Sequence, residues 1–264
     1  MNRFQILLKA TLQMYADAIS ESSKSLVAHF WVVGLIPGYT MLLGLVGALS
    51  MSLGFLGGIL QYLAMAALLS SFISILEEAV AHQRVHFSGL GTTFGRYFNS
   101  LISVLFVFWI LDLVLGMVGQ NSPNSLWLIL FVKTAIFIVF NPVPELIYQG
   151  QRDGMGLLED AYRFTLANTL EWLLPMFLIL APIFAIETRI GLAVMSQLSP
   201  TNALTMLNTI VMQWLPASGP WVAILSTLLA STLLTWVMLF RGFLFRSLNR
   251  GGRRQRIFMS RMQS

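Results

Sequence analysis

The chain has 264 residues, of which 56% are hydrophobic and 10% charged, with a formal net charge of +5. An ordinary soluble domain carries about 25% charged residues, so a water-exposed globule is excluded, and the mean hydropathy of +0.75 names hydrocarbon as the solvent. Cysteine is absent, which excludes disulfides, thiolate metal sites and cysteine nucleophiles.

Met1 to Phe30 does not read as a signal peptide, because Asp17, Glu21, Lys24 and His29 interrupt it. Residues 3–24 read instead as an amphipathic interfacial helix. Phe4, Leu7, Leu8, Leu12, Tyr15 and Ile19 recur at helical spacing, with Lys9, Asp17 and Glu21 among the polar positions.

Apolar runs of about 18 residues or more mark membrane spans. They predict six, at 29–50, 57–80, 97–118, 126–148, 170–188 and 221–244. The second span is rich in small residues (Gly57, Gly58, Ala64, Ala66, Ala67, Ser70, Ser71), which permits close helix packing. The third and fourth are joined by the turn Gln120-Asn-Ser-Pro-Asn-Ser125, and Asn141-Pro-Val-Pro144 must distort the last third of the fourth. Residues 201–214 form a second amphipathic candidate. The fold class is therefore all-α: a polytopic transmembrane bundle of six spans with interfacial helices, in one membrane domain with a basic tail from 245.

The loops separate by charge. The N-terminal segment, residues 81–96, residues 149–169 and the stretch from Arg241 to the tail hold fourteen of the sixteen lysines and arginines, the exceptions being Lys133 inside a span and Arg189. The positive-inside rule places both termini in the cytoplasm, in a bacterial inner membrane. The tail from Arg241 to Arg261 carries seven arginines. Arg246, Arg250, Arg253, Arg254 and Arg256 are expected to meet anionic lipid headgroups, at about 1 kcal/mol per charge. Nucleic acid is not an expected partner.

Two stretches resemble each other. Glu77-E-A-V-A-H-Q-Arg84 followed by Arg96-Y-F-N-S-L-I matches Glu145-L-I-Y-Q-G-Q-Arg152 followed by Arg163-F-T-L-A-N-T-L. The pattern reads as a repeated helix-pair unit spanning 77–106 and 145–173. In the second copy, Met155, Leu157, Leu158, Ala161, Tyr162 and Phe164 are expected to face lipid, with Asp153, Glu159, Asp160 and Arg163 toward water.

The second copy runs N-P-V-P-E-L-I-Y-Q-G-Q-R-D-G-M-G-L-L-E-D-A-Y-R-F-T-L-A-N-T-L-E-W-L-L-P from Asn141 to Pro175. It resembles the membrane domain fused to some bacterial glycerophosphodiester phosphodiesterases, and related six-span bacterial membrane proteins. The likeness covers about the middle third of the chain and implies a fold type only. The phosphodiesterase domain that carries catalysis in that family is not in this sequence, so its activity does not transfer.

Three sets of polar residues inside or beside the spans are candidates for function. Asp112 and Lys133 fall at matching depth on antiparallel neighbours, where a lone charge costs about 2.5–3.5 kcal/mol. They read as an ion pair, structural first and a proton or substrate relay second. Glu145 follows two prolines near the end of a span, and broken helices are where transporters bind substrate. Glu78, His82 and His86 stand at i, i+4 and i+8, usable metal-ligand spacing, although the repeat has Gly150 and Gly154 where the histidines would be. No catalytic motif and no cofactor fingerprint is present, so no cofactor is expected.

The composition fits first a non-enzymatic scaffold or accessory subunit of a membrane assembly, with lipids and other membrane subunits, or a second copy, as partners. A transporter is the alternative. It would be the permease subunit of an ATP-driven exporter, with a cytoplasmic ATPase as partner. A lipid-acting membrane enzyme using Glu78, His82 and His86 is the third reading.

Overall fold

The computed structural model describes residues 3–81, 90–120, 125–150, 152–186 and 220–250. Among these there is no strand, and the elements are α1 (Arg3–Ala28), a 3-10 turn (Phe30–Gly34), α2 (Leu35–Ser50), α3 (Phe55–Ala81), α4 (Leu90–Thr93), α5 (Phe98–Gln120), α6 (Ser125–Phe140), α7 (Val143–Gln149), α8 (Met155–Ile186) and α9 (Pro220–Arg250). Five segments are long and apolar enough to cross a membrane: Phe30–Leu53, Phe55–Ala81, Phe98–Met117, Trp127–Gln149 and Ile224–Asn249. They match five of the six predicted spans to within a few residues. The remaining one, 170–188, falls in the second half of α8, which is not among the five. The amphipathic candidate 201–214 and Arg189 lie outside the described residues.

Burial is uneven along the bundle. On α3 the continuous buried stretch is Ser70 to Leu76, joined by Ala79 and Val80, while Phe55, Leu56, Ile59, Leu60 and Leu63 are exposed. On α9, Val237 to Phe245 are buried, whereas Trp221, Ile224, Leu225, Leu228 and Leu229 are exposed. The core thus lies at the end where α3, α7 and α9 terminate, and the opposite half presents large apolar side chains outward. That is the expected surface of a protein dissolved in lipid, where exposing leucine costs nothing.

The α2–α3 hairpin turns so tightly that a Cβ on Gly57 would lie 2.0 Å from the Ser50 carbonyl oxygen, so no other residue fits there. Gly242 plays the matching part on α9. A Cβ there would stand 2.6 Å from the Tyr148 hydroxyl and 2.8 Å from Val80 Cγ2, so the missing side chain lets α9 close on α3 and α7.

The N-terminal helix is present as predicted and has three faces. Met14, Ala18, Ser22, Ser25 and the following His29 are buried, and α1 packs against α9. Ser23 accepts a hydrogen bond from Trp236 Nε1 (3.1 Å), and the Tyr15 hydroxyl donates to the Glu171 carbonyl on α8 (2.8 Å). The apolar residues Leu8, Leu12 and Ile19, which define its amphipathic face, are exposed, as an interfacial helix requires. At 3.6 residues per turn they lie roughly a quarter turn around the helix from the small-residue stripe, with Lys9, Asp17 and Lys24 farther round. Small side chains meet protein here, and large ones are left for lipid.

The helix α8 is bent at Asn168 (φ −126°, ψ 24°). Its first part, the connector of the second repeat copy, departs from expectation. Leu157, Leu158, Ala161 and Phe164 are buried in the protein core, and only Met155 and Tyr162 of the six residues assigned to lipid are exposed. The bend lets Phe164 reach both Trp172 (centroids 5.4 Å apart) and Phe245 of α9 (4.5 Å), so the connector's apolar face is consumed by the bundle itself.

Candidate functional site

The site grows out of the break between α6 and α7. Pro142 and Pro144 supply no N–H, so carbonyls one turn back lose their helical donors. The helix stops at Phe140 and restarts at Val143, as the proline spacing predicts. Around the break, side chains from other helices donate to neighbouring carbonyls. Thr165 Oγ1 donates to the Val139 carbonyl (2.9 Å), and Arg241 Nη2 donates to the Asn141 carbonyl (2.6 Å). This is the compensation a broken helix requires away from water.

The same arginine closes on Glu145. Arg241 Nε and Nη2 donate to Glu145 Oε1 and Oε2 at 2.7 and 2.8 Å. The two side chains are 3% and 0% exposed, so this is a fully buried, two-pronged ion pair. Asn141 Oδ1 accepts a hydrogen bond from Trp172 Nε1 (3.0 Å), and the Arg241 guanidinium lies 5.3 Å from the Trp172 ring centre. Every group in the cluster is thereby satisfied by another, which is the condition for buried charge to be tolerated. Arg241 was assigned by sequence to the start of the basic tail. It belongs instead to the interior of α9, and Glu145 is held by it rather than left open to a substrate.

A second polar cluster pins the first repeat copy. Arg96 Nη2 lies 3.1–3.2 Å from the Glu77 carboxylate, and the Tyr97 hydroxyl donates to Glu77 Oε2 (2.7 Å). One face of α3 then holds the incoming chain. The Tyr97 N–H donates to Ser70 Oγ (2.9 Å), Ser70 Oγ donates to the Thr93 carbonyl (3.2 Å), and Ser71 Oγ bridges Thr93 Oγ1 (2.6 Å) and the Tyr39 hydroxyl (2.7 Å). The small residues read from sequence as packing aids therefore also carry hydrogen bonds. The two copies part here. Glu77 pairs with Arg96, whereas Arg163 pairs with Glu159, and Arg152 reaches Glu159 and Asp160 (3.5 and 3.4 Å). Phe164, at the position of Tyr97, has no hydroxyl and stacks in the core.

Beside Glu77 opens a polar cavity of about 270 Å3, walled by Glu77, Tyr148, Gln149, Arg246 and Asn249. Arg246 Nη1 donates to the Val80 carbonyl (2.7 Å), and Gln149 Nε2 donates to the Gly242 carbonyl (3.1 Å). Arg246, expected to meet lipid headgroups, is half-buried in the cavity wall. Arg250 is the last residue of α9, while Arg253, Arg254 and Arg256 lie outside the described residues.

Asp112 and Lys133 form the ion pair expected of them, at 3.0 Å. They stand apart from both clusters, near the α5–α6 turn. Lys133 is 19% and Asp112 49% exposed at the side chain. For Glu78, the two histidines at 82 and 86 lie outside the described residues, and among the described residues no group of three or more metal-ligating side chains occurs. Arg241 is the member of the site that sequence reasoning missed. Its signal was an arginine three residues inside the end of a predicted span, matched by Glu145 three residues inside the end of another.

No family model, no curated protein and no solved structure matches the chain.

Proposed function

We propose that this protein is a six-span integral membrane scaffold or accessory subunit of the bacterial inner membrane, with both termini and the charged end of the bundle in the cytoplasm. The path of the chain supports the sixth span. Gln149 at the end of α7 touches Gly242 near the end of α9. From Gly242 back to the start of α9 at Pro220 is about 33 Å of helix, so the chain must travel that distance back before α9 can begin. Among the described residues, α8 lies between them, and its part beyond the bend at Asn168 supplies the return. The charge asymmetry of the loops supports the orientation.

The observation that carries the scaffold reading is the contrast in burial between spans. Only 11% of the Phe30–Leu53 window is buried, against 72% of the Ile224–Asn249 window. One helix is the axle of the bundle and another stands almost wholly outside it, so Met41, Leu45 and Leu49 face lipid, where a neighbouring helix can replace the lipid. Photo-crosslinker attached to Leu45→Cys or Leu49→Cys, in a chain that has no other cysteine, tests this in native membranes. A discrete adduct, absent with Val33→Cys, is expected. Uncrosslinked monomer at every exposed position of α2 would remove the scaffold reading.

A second reading is favoured by the Asp112–Lys133 pair. These residues lie five and six positions inside the α5–α6 ends of their spans, at a depth where ionisable residues are functional by default. On that reading the protein is the permease subunit of an ATP-driven exporter. Co-purification with a cytoplasmic ATPase whose hydrolysis it stimulates would favour it. No stimulation in liposomes would count against it.

A further inference from the structure

We infer that the cavity between Glu77 and Arg246 is a binding site for a zwitterionic amine–phosphate group, the headgroup of an ethanolamine phospholipid. Its position comes first. Ala81, Gln149 and Asn249 all line it, and they lie toward the same end of the three spans Phe55–Ala81, Trp127–Gln149 and Ile224–Asn249. A cavity walled by three span ends sits where the headgroups of a bilayer sit, at the edge of the hydrocarbon. Ala81 and Asn249 are exposed and mark its mouth.

Its chemistry comes second. One wall carries a carboxylate and another a guanidinium. Arg246 has five N–H donors and uses one side of its fork on the Val80 carbonyl. The remaining donors, with the Asn249 amide beside them, suit a phosphate. Glu77 has about four acceptor positions, and Arg96 and Tyr97 occupy part of them. An ammonium group with N–H donors suits what is left. A choline headgroup has the charge but no N–H donor for Glu77, and a glycerol headgroup has hydroxyl donors but no positive charge. The volume of about 270 Å3 lies just below the range of about 300–1,000 Å3 for drug-sized ligands. It takes a headgroup and leaves acyl chains to lie along the exposed helices. This inference rests on the spans alone and holds for scaffold and exporter equally.

Native mass spectrometry of the full chain in mild detergent tests it, with phosphatidylethanolamine, phosphatidylcholine and phosphatidylglycerol of matched acyl chains. The ethanolamine lipid is expected to occupy the chain about fivefold more than either of the others. Arg246→Gln is expected to lower that occupancy about tenfold, the equivalent of one charge-assisted contact. Glu77→Gln is expected to erase the preference over choline. Because Glu77 also pins Tyr97, Ala81→Leu is the second variant. It blocks the mouth without touching a polar contact and is expected to lower occupancy as Arg246→Gln does. Added glycerophosphoethanolamine separates the sources: competition at equal concentration identifies a soluble headgroup ligand, and lack of it a whole lipid. Equal occupancy by all three lipids, or occupancy unmoved by both Arg246→Gln and Ala81→Leu, would overturn the assignment.

Discussion

Glu145 and Arg241, 96 positions apart in sequence, meet through two hydrogen bonds of 2.7 and 2.8 Å in a part of the bundle that excludes solvent from both. The arginine simultaneously caps the backbone at Asn141, where the α6–α7 helix is broken. One side chain thus answers both a charge and a gap in the helical ladder.

Removing one partner leaves the other charged and buried, which costs about 3–5 kcal/mol. Glu145→Leu and Arg241→Met are each expected to lower the detergent unfolding temperature sharply. The double variant is expected to recover part of the loss, because no lone charge remains. Recovery should be incomplete, since Asn141 still lacks its donor. Thermal unfolding of the four proteins measures this coupling. Additive losses would mean the pair does not act as one unit.

Gly242→Ala is expected to destabilise by about 1–3 kcal/mol through overpacking, because the new methyl meets Val80 and Tyr148 inside contact distance. Gly58→Ala, where a Cβ meets nothing within 4 Å, is the control and is expected to be neutral. Unfolding curves for both check the contrast.

Tyr97→Phe removes the donor that holds Glu77 and is expected to cost about 1–2 kcal/mol. Ser71→Ala cuts the bridge between Thr93 and Tyr39 and is expected to cost a similar amount. Hydrogen exchange at residues 93–97 is the local readout, and faster exchange is expected in both variants with the α9 core unchanged.

Asp112 and Lys133 neutralise each other near the α5–α6 turn. Lys133→Leu or Asp112→Leu leaves one charge in the bilayer, at a cost of up to about 2.5–3.5 kcal/mol, whereas the double variant leaves none. Stability in nanodiscs is expected to fall in the singles and return in the double. Equal stability across all four would point to an outward-snorkelling lysine with no structural pairing.

The spans were legible because lipid asks for uninterrupted apolar runs, and a run of that length is visible in sequence. The proline break after Phe140 was legible for an equally local reason, the loss of two N–H donors. The Asp112–Lys133 pair was legible because a short turn forces α5 and α6 to be neighbours. What escaped was the partner of Glu145. The internal repeat drew attention to Arg163, the position equivalent to Arg96, while Arg241 looked like the first charge of a tail. Which helix lies against α7 is a property of the whole bundle, and apolar runs carry no record of it. The protein-facing stripe of α1 escaped for a related reason. The pattern of Leu8, Leu12 and Ile19 reports where lipid lies, whereas Ala18, Ser22 and Ser25, which turn inward, carry no apolar signal.

Labelling of single cysteines in intact cells by a membrane-impermeant maleimide is the most direct test of the bilayer-spanning arrangement. Ser52, in the α2–α3 turn, and Ser247, near the end of α9, are both exposed and belong to opposite ends of the bundle. Ser52→Cys is expected to label at once, and Ser247→Cys only after the membrane is permeabilised. Labelling of Ser247→Cys in intact cells, or equal labelling of the two, would contradict the account.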